Sequence, residues 1–183
     1  MILPKRYSGH FTRPMMRLYS IFVILLGFLP AIAAAAWQIV THTDTDTNTD
    51  MRVAYIENKS GYTLEIYRDA VGAVRSRFTL MPGLSRLANH NCPTYQIDKR
   101  QPQNRSINDA PCIPESNWAE FILGYIENNE VTSVKLHELM NGTLVTYRFA
   151  LENGGYRETN FSLVGSKKAF TAALGEKLRM KPR

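Results

Sequence analysis

Two cysteines, Cys92 and Cys112, are the only ones in this chain of 183 residues. They enclose CPTYQIDKRQPQNRSINDAPC, a polar stretch with prolines, and strand-like sequence lies on both sides of it. An even cysteine count in a chain bearing an export signal favours a stable bridge. A redox pair or metal ligands are the alternatives. There is no CxxC spacing, however, and the nearest histidine, His90, has no ligand pattern around it. The pair is expected to form one disulfide that pins a long loop to a small β-rich body. Closing a loop of this length stabilises by about 3 kcal/mol in the chain-entropy model.

The N-terminus carries the pattern of an export signal. Lys5, Arg6, Arg13 and Arg17 precede the apolar run Leu18 to Leu29, Pro30 follows, and Ala31 to Ala36 offers small-residue cleavage choices. Cleavage near Ala35 or Ala36 would start the mature chain at about Trp37 and place the protein in the periplasm or outside the cell, with no membrane span. The rival reading is an uncleaved anchor, because Leu18 to Ala36 is barely long enough to span a bilayer. The formal charge of the whole chain is +6. Residues 1–36 hold four of the basic groups and no acidic one, which leaves 18 basic against 16 acidic groups, a net +2, in residues 37–183. So modest a balance excludes a nucleic-acid partner as an inference from charge. The C-terminal Lys167, Lys168, Lys177, Arg179, Lys181 and Arg183 stand against Glu176 alone. They are read as a solvated helix and tail, the alternative being contact with anionic lipid or an acidic partner.

Residues 37–183 are enough for one domain with a real core. Short alternating segments dominate them. Trp37 to Thr41 is a strand candidate, and Thr41 to Asp50, where Thr alternates with His, Asp and Asn, is expected to be a turn or loop. Arg52 to Glu57, Tyr62 to Arg68 and Val74 to Leu80 follow as strands. In the last of these Val74, Ser76, Phe78 and Leu80 share one face, while Arg75, Arg77 and Thr79 share the other. Such tight links point to antiparallel pairing, not to a parallel α/β fold. Trp118 to Ile126 is the most apolar stretch after the signal, a central strand with Gly124 at a bulge. Val131 to Met140 reads either as a strand before an Asn141-Gly142 hairpin or as a short helix capped by Gly142, the helix being preferred. Leu144 to Leu151 and Tyr156 to Val164 form a hairpin about Glu152 to Gly155, and Ser166 caps a terminal helix, Lys167 to Leu174. The expected fold is mainly β, an antiparallel β-sandwich with one disulfide and a short C-terminal helix.

Candidate chemistry is sparse. Asp44, Asp46, Asn48 and Asp50 take the 1, 3, 5 and 7 offsets of a calcium loop, but Thr49 stands where glycine belongs and Tyr55 where a bidentate glutamate belongs. Asp98, next to Lys99 and Arg100, reads as a surface ion pair. No G-x-S-x-G, H-E-x-x-H or phosphate loop occurs. A hydrolase using Asp98 or Asp109 with a histidine is the enzymatic alternative. Asn58, Asn104, Asn141 and Asn160 begin N-x-S/T sequons. The aromatic residues are expected to be core, with Tyr67 and Tyr125 as candidates for an outward binding face.

From Trp118 onward the chain resembles the invasion-associated locus B family of exported bacterial proteins. The residues that carry the likeness are Cys112, Ala119-Glu120-Phe121, Met140-Asn141-Gly142-Thr143, Asn153-Gly154-Gly155, Phe161 to Gly165 and Lys168-Ala169-Phe170. The resemblance implies a periplasmic or surface β-sandwich with no established enzymatic activity, linked in some pathogens to host-cell entry. The first half departs from that family, lacking its early cysteine pair near the first Trp. There the chain looks more like periplasmic accessory proteins of type VI secretion, so no functional residue is carried over. The expected role is binding of a protein or cell-envelope component, without a cofactor.

Overall fold

The computed structural model describes residues 36–44, 49–84, 86–88, 91–104 and 112–181. All of them lie in one compact unit, Ala34–Arg183. The apolar run Leu18 to Leu29, expected to be an export signal, and Ala35 fall outside the described residues.

Among the described residues eleven strands and two helices follow in order: β1 (Gln38–Asp44), β2 (Thr49–Glu57), β3 (Thr63–Arg68), β4 (Ala73–Thr79), β5 (Thr94–Ile97), β6 (Cys112–Pro114), β7 (Trp118–Glu127), β8 (Glu130–Thr132), α1 (Val134–Asn141), β9 (Leu144–Ala150), β10 (Tyr156–Ser162), α2 (Ser166–Leu174) and β11 (Arg179–Lys181). The larger sheet runs β1-β2-β3-β4-β7-β8-β11, with β6 also paired to β7, and the smaller runs β10-β9-β5. The fold is mainly β and its pairing antiparallel, except that β11 lies parallel to β8.

The period-two alternation decides which side chains meet. Leu64, Ile66, Val74, Phe78, Ala119 and Phe121 from the larger sheet share one buried cluster with Tyr95, Ile97, Val145, Tyr147, Phe149 and Phe161 from the smaller. Phe78 stacks on Tyr147 with ring centroids 4.8 Å apart, which places the contact between the sheets at the centre of the sandwich. Phe170 and Leu174 of α2 and Leu136 and Leu139 of α1 join the same core.

Several expectations are corrected. The stretch Thr41 to Asp50 is not simply a loop: β1 continues to Asp44 and β2 begins at Thr49, paired Asp44 to Thr49. β-Branched Thr suits an exposed ribbon as well as a turn. Within the disulfide segment, Thr94 to Ile97 is a strand paired with β9, and its Tyr95 and Ile97 are core residues. Four residues were too few to stand out from their polar surroundings. Arg179 to Lys181 is a strand and not a free tail, with Arg179 and Lys181 both paired to Glu130. Ser166 does not cap α2. Gly165 holds that position at φ 85°, and the Ser166 hydroxyl donates to the Leu139 carbonyl at 2.9 Å, tying the two helices together.

The preferred readings elsewhere match the structure. Val134 to Asn141 is a helix, with the Ser133 hydroxyl accepting from the Leu136 N–H. Gly142 ends it at an ordinary φ of −81°, and the need there is for space: an added Cβ would lie 2.7 Å from the Ile97 side chain. The bulge in β7 falls beside Gly124, where Val74 pairs with Gly124 and Arg75 with Ile122.

Cys92 and Cys112 are bonded, with Cα atoms 6.2 Å apart. Cys112 opens β6 and pairs with Phe121, and Cys92 leads into β5. The bond therefore joins the smaller sheet to the larger. Replacing both cysteines with serine is expected to lower the unfolding free energy by about 3 kcal/mol. Urea denaturation of the variant against the oxidised protein checks this, and equal midpoints would refute it.

Candidate functional site

The side of the larger sheet that faces away from the core carries a cross-strand charge network. Its origin is the alternation of β4: Val74, Ser76 and Phe78 turn inward, so Ala73, Arg75, Arg77 and Thr79 turn outward. Register then fixes their neighbours. One row across the sheet reads Tyr55, Glu65, Arg77, Glu120, Ile113. The next reads Val53, Tyr67, Arg75, Ile122, and a third pairs Thr79 with Trp118.

Glu120 is the hub. It lies in the most apolar strand and is 5% exposed. One oxygen accepts from Arg75 Nη1 at 2.6 Å. The other accepts from Arg77 Nε at 3.0 Å, Arg77 Nη2 at 2.9 Å and the Tyr67 hydroxyl. Arg75 is held a second time by Asp69, at 2.6 Å from Nε. The Arg77 guanidinium also lies 4.8 Å from the Trp118 ring centroid and 5.3 Å from that of Tyr67. Burial alone would raise the Glu120 carboxyl, but the hydrogen bonds from Tyr67, Arg75 and Arg77 outweigh it and hold the group below its usual range. Burial and the bond to Glu120 push the Tyr67 phenol well above its ordinary value, so it remains a donor. Glu65 moves the other way: burial raises it, against the pull of Arg77.

Glu65 and Glu120 are carboxylates shifted in opposite directions, a pattern that acid–base pairs share. Here the Arg77 side chain occupies the position between them in the row. The arrangement is a pre-organised platform of guanidinium and aromatic groups. Trp, Tyr and Arg are the residue types that dominate protein interface hot spots. Tyr125, 55% exposed, and Ile113, 42% exposed, extend the platform at its β7 and β6 side.

The residues singled out in the sequence are placed as follows. Tyr125 is exposed as anticipated; Tyr67 points away from the core but is only 4% exposed, locked in the network. Asp98 is more than a surface ion pair. Its Oδ1 accepts from the Thr143 hydroxyl at 2.6 Å and from the Thr143 and Leu144 N–H groups at 3.0 Å each, and Arg100 binds its other oxygen. Those bonds, the Thr143 hydroxyl first, draw its pKa down to about 2. All this fixes β9 to the turn after β5. Asp109 and His90 lie outside the described residues. So do Asp46 and Asn48 of the calcium candidate, whereas Asp44 and Asp50 sit near the end of the β1–β2 ribbon, where Asp50 accepts from the Thr43 hydroxyl at 3.0 Å. Among the described residues no group of three or more His, Cys, Asp or Glu is placed to hold a metal. Of the sequons, Asn58 has its amide committed, donating to Thr159 Oγ1 at 2.7 Å and to the Asn160 carbonyl at 3.0 Å.

The network itself was not anticipated. Its one sequence signal is a carboxylate within an apolar strand, Glu120 in WAEFILGYI. Compared with known proteins, the chain matches no family model, no curated protein and no solved structure.

Proposed function

We propose that this protein is a non-enzymatic, exported β-sandwich, periplasmic or secreted after removal of residues 1–36, that binds a protein or cell-envelope component through the outer face of its larger sheet. On this reading it is a relative of the invasion-associated locus B proteins with a diverged first half. The observation that carries the binding role is the Arg75–Arg77–Glu120 platform, with the Arg77 guanidinium over the Trp118 ring. Two guanidinium groups and an indole are held in fixed positions by bonds made before any partner arrives. Pre-organisation of this kind removes much of the ordering cost of association. The disulfide fits an oxidising compartment. Among the described residues no helix is long and apolar enough to cross a membrane.

The test is affinity capture from the native envelope, comparing the exported protein with Trp118→Ala, with Tyr125→Ala and with Tyr156→Ala. Tyr156 is a control: 62% exposed, on the smaller sheet. Loss of a hot-spot aromatic costs about 2 kcal/mol, roughly thirtyfold in affinity. A partner kept by Tyr156→Ala and lost by the other two is the expected result. A partner kept equally by all three would move the site off this face.

A further inference from the structure

Sheet edges are templates for further strand pairing, and proteins blunt the ones they do not use. Four of the edges here are blunted in recognisable ways. β10 has two carbonyls bonded by side chains from outside its sheet, Asn160 by Asn58 and Ser162 by the Trp37 indole at 3.0 Å. β5 is four residues long, and Tyr95 exchanges both backbone bonds with Gln103. β6 has three residues, one of them Pro114 and another the disulfide Cys112. β11 has three, Arg179-Met180-Lys181, two of them cationic.

β1 is different. It is seven residues long, QIVTHTD, without proline, lysine or arginine, and it pairs with β2 along its whole length. Among the described residues nothing bonds its other edge. Ile39, Thr41, His42 and Thr43 are exposed.

We propose that this edge pairs with β1 of a second copy of the chain, antiparallel about a two-fold axis through Thr41, to form one continuous sheet. The composition of β1 is what selects a second copy. A two-fold axis keeps the two faces of the sheet in register only when like-facing residues oppose each other. Centring on Thr41 satisfies this and uses all seven residues. Thr41 meets Thr41, Val40 meets His42, Ile39 meets Thr43 and Gln38 meets Asp44. No like charges are opposed, and Thr–Thr is a favourable cross-strand pair. The pairing goes beyond the proposed binding role and does not depend on it. It would set two copies of the Glu120 platform on one face, their β4 strands seven strand spacings apart, roughly 34 Å along the sheet. A partner that repeats along an envelope surface would then be held by both.

The test uses the exported protein and three single substitutions. Light scattering is expected to give twice the chain mass. Thr41→Lys places like charges on the axis and should weaken the dimer by about tenfold or more, with the circular dichroism unchanged. Thr41→Cys should form a disulfide between copies under oxidising conditions, because paired Cα atoms lie about 4.5–5.5 Å apart, within bonding reach. Ile39→Cys should not, since it faces Thr43. A monomer at high micromolar concentration overturns the proposal. So does a dimer that is neither weakened by Thr41→Lys nor cross-linked by Thr41→Cys. These readouts use no envelope partner, so they stand apart from the capture experiment.

Discussion

Phe78→Ala is expected to lower the unfolding free energy by about 4 kcal/mol, the cost of removing a fully buried aromatic side chain and leaving a cavity. Phe78 is completely buried, one residue before the end of β4. Its ring lies 4.8 Å from Tyr147, 5.1 Å from Phe149, 6.0 Å from Tyr62 and 6.2 Å from Phe161. Three of those partners come from the smaller sheet, so the loss falls on the contact that holds the sandwich closed. The cavity cannot easily collapse, because Tyr147, Phe149 and Phe161 are aromatic rings fixed on strands of the facing sheet. Phe78→Leu keeps most of the volume and should cost about 1.5 kcal/mol. Urea unfolding of both variants separates the outcomes. Equal, small losses would mean that the sheets are held together elsewhere, and the disulfide would be the first alternative. For a chain of this size the alanine variant should melt roughly 12 °C lower.

The position of Phe78 was legible in the sequence because alternation in VRSRFTL assigns its face without knowledge of any partner. The same holds for Val145, Tyr147 and Phe149 in LVTYRFAL. Short strands were not legible. β5, β8 and β11 have four, three and three residues, too few to show a period; β5 and β8 take their register from the longer β9 and β7, and β11 lies against β8. The disulfide pairing was legible from the cysteine count, but its consequence was not. Only the fold shows that the enclosed segment contributes Tyr95 and Ile97 to the core. The candidate site was half legible. Arg75 and Arg77 could be placed on the outward face, but their convergence on Glu120, more than forty positions away, depends on β4 and β7 being neighbours. Sequence separation hides such a contact, and a carboxylate inside an apolar run is its sole trace.

Glu120→Ala is expected to cost about 3 kcal/mol, the lower end for breaking a buried ion pair, because solvent still reaches both arginines. The side chains of Arg75 and Arg77 are 20% and 33% exposed, against 6% for that of Glu120. Removing the carboxylate leaves two guanidinium groups with like charges on adjacent outward positions of β4 and a buried phenol without its acceptor. Glu65 is a control in the same row. Burial raises its carboxyl, so its charge is disfavoured in the fold, and Glu65→Gln should be neutral or mildly stabilising. The pH dependence follows from the signs. A carboxyl held below its unfolded value contributes stability that is complete above that value and is lost as pH falls through the folded one. Glu120 and Asp98 are both of this kind, Asp98 drawn to about 2. Stability should therefore decline from just above pH 4 towards pH 2, with Glu65 opposing part of the fall. At the alkaline end the raised Tyr67 phenol gives the converse: its contribution is complete below the ordinary tyrosine value near 10 and is lost above it. Glu120→Gln should flatten part of the acid slope, Asp98 carrying the rest, and lower stability at neutral pH. A variant with the slope of the parent protein would show that the network is not coupled to folding, and Asp98→Asn would then be the place to look for the remainder.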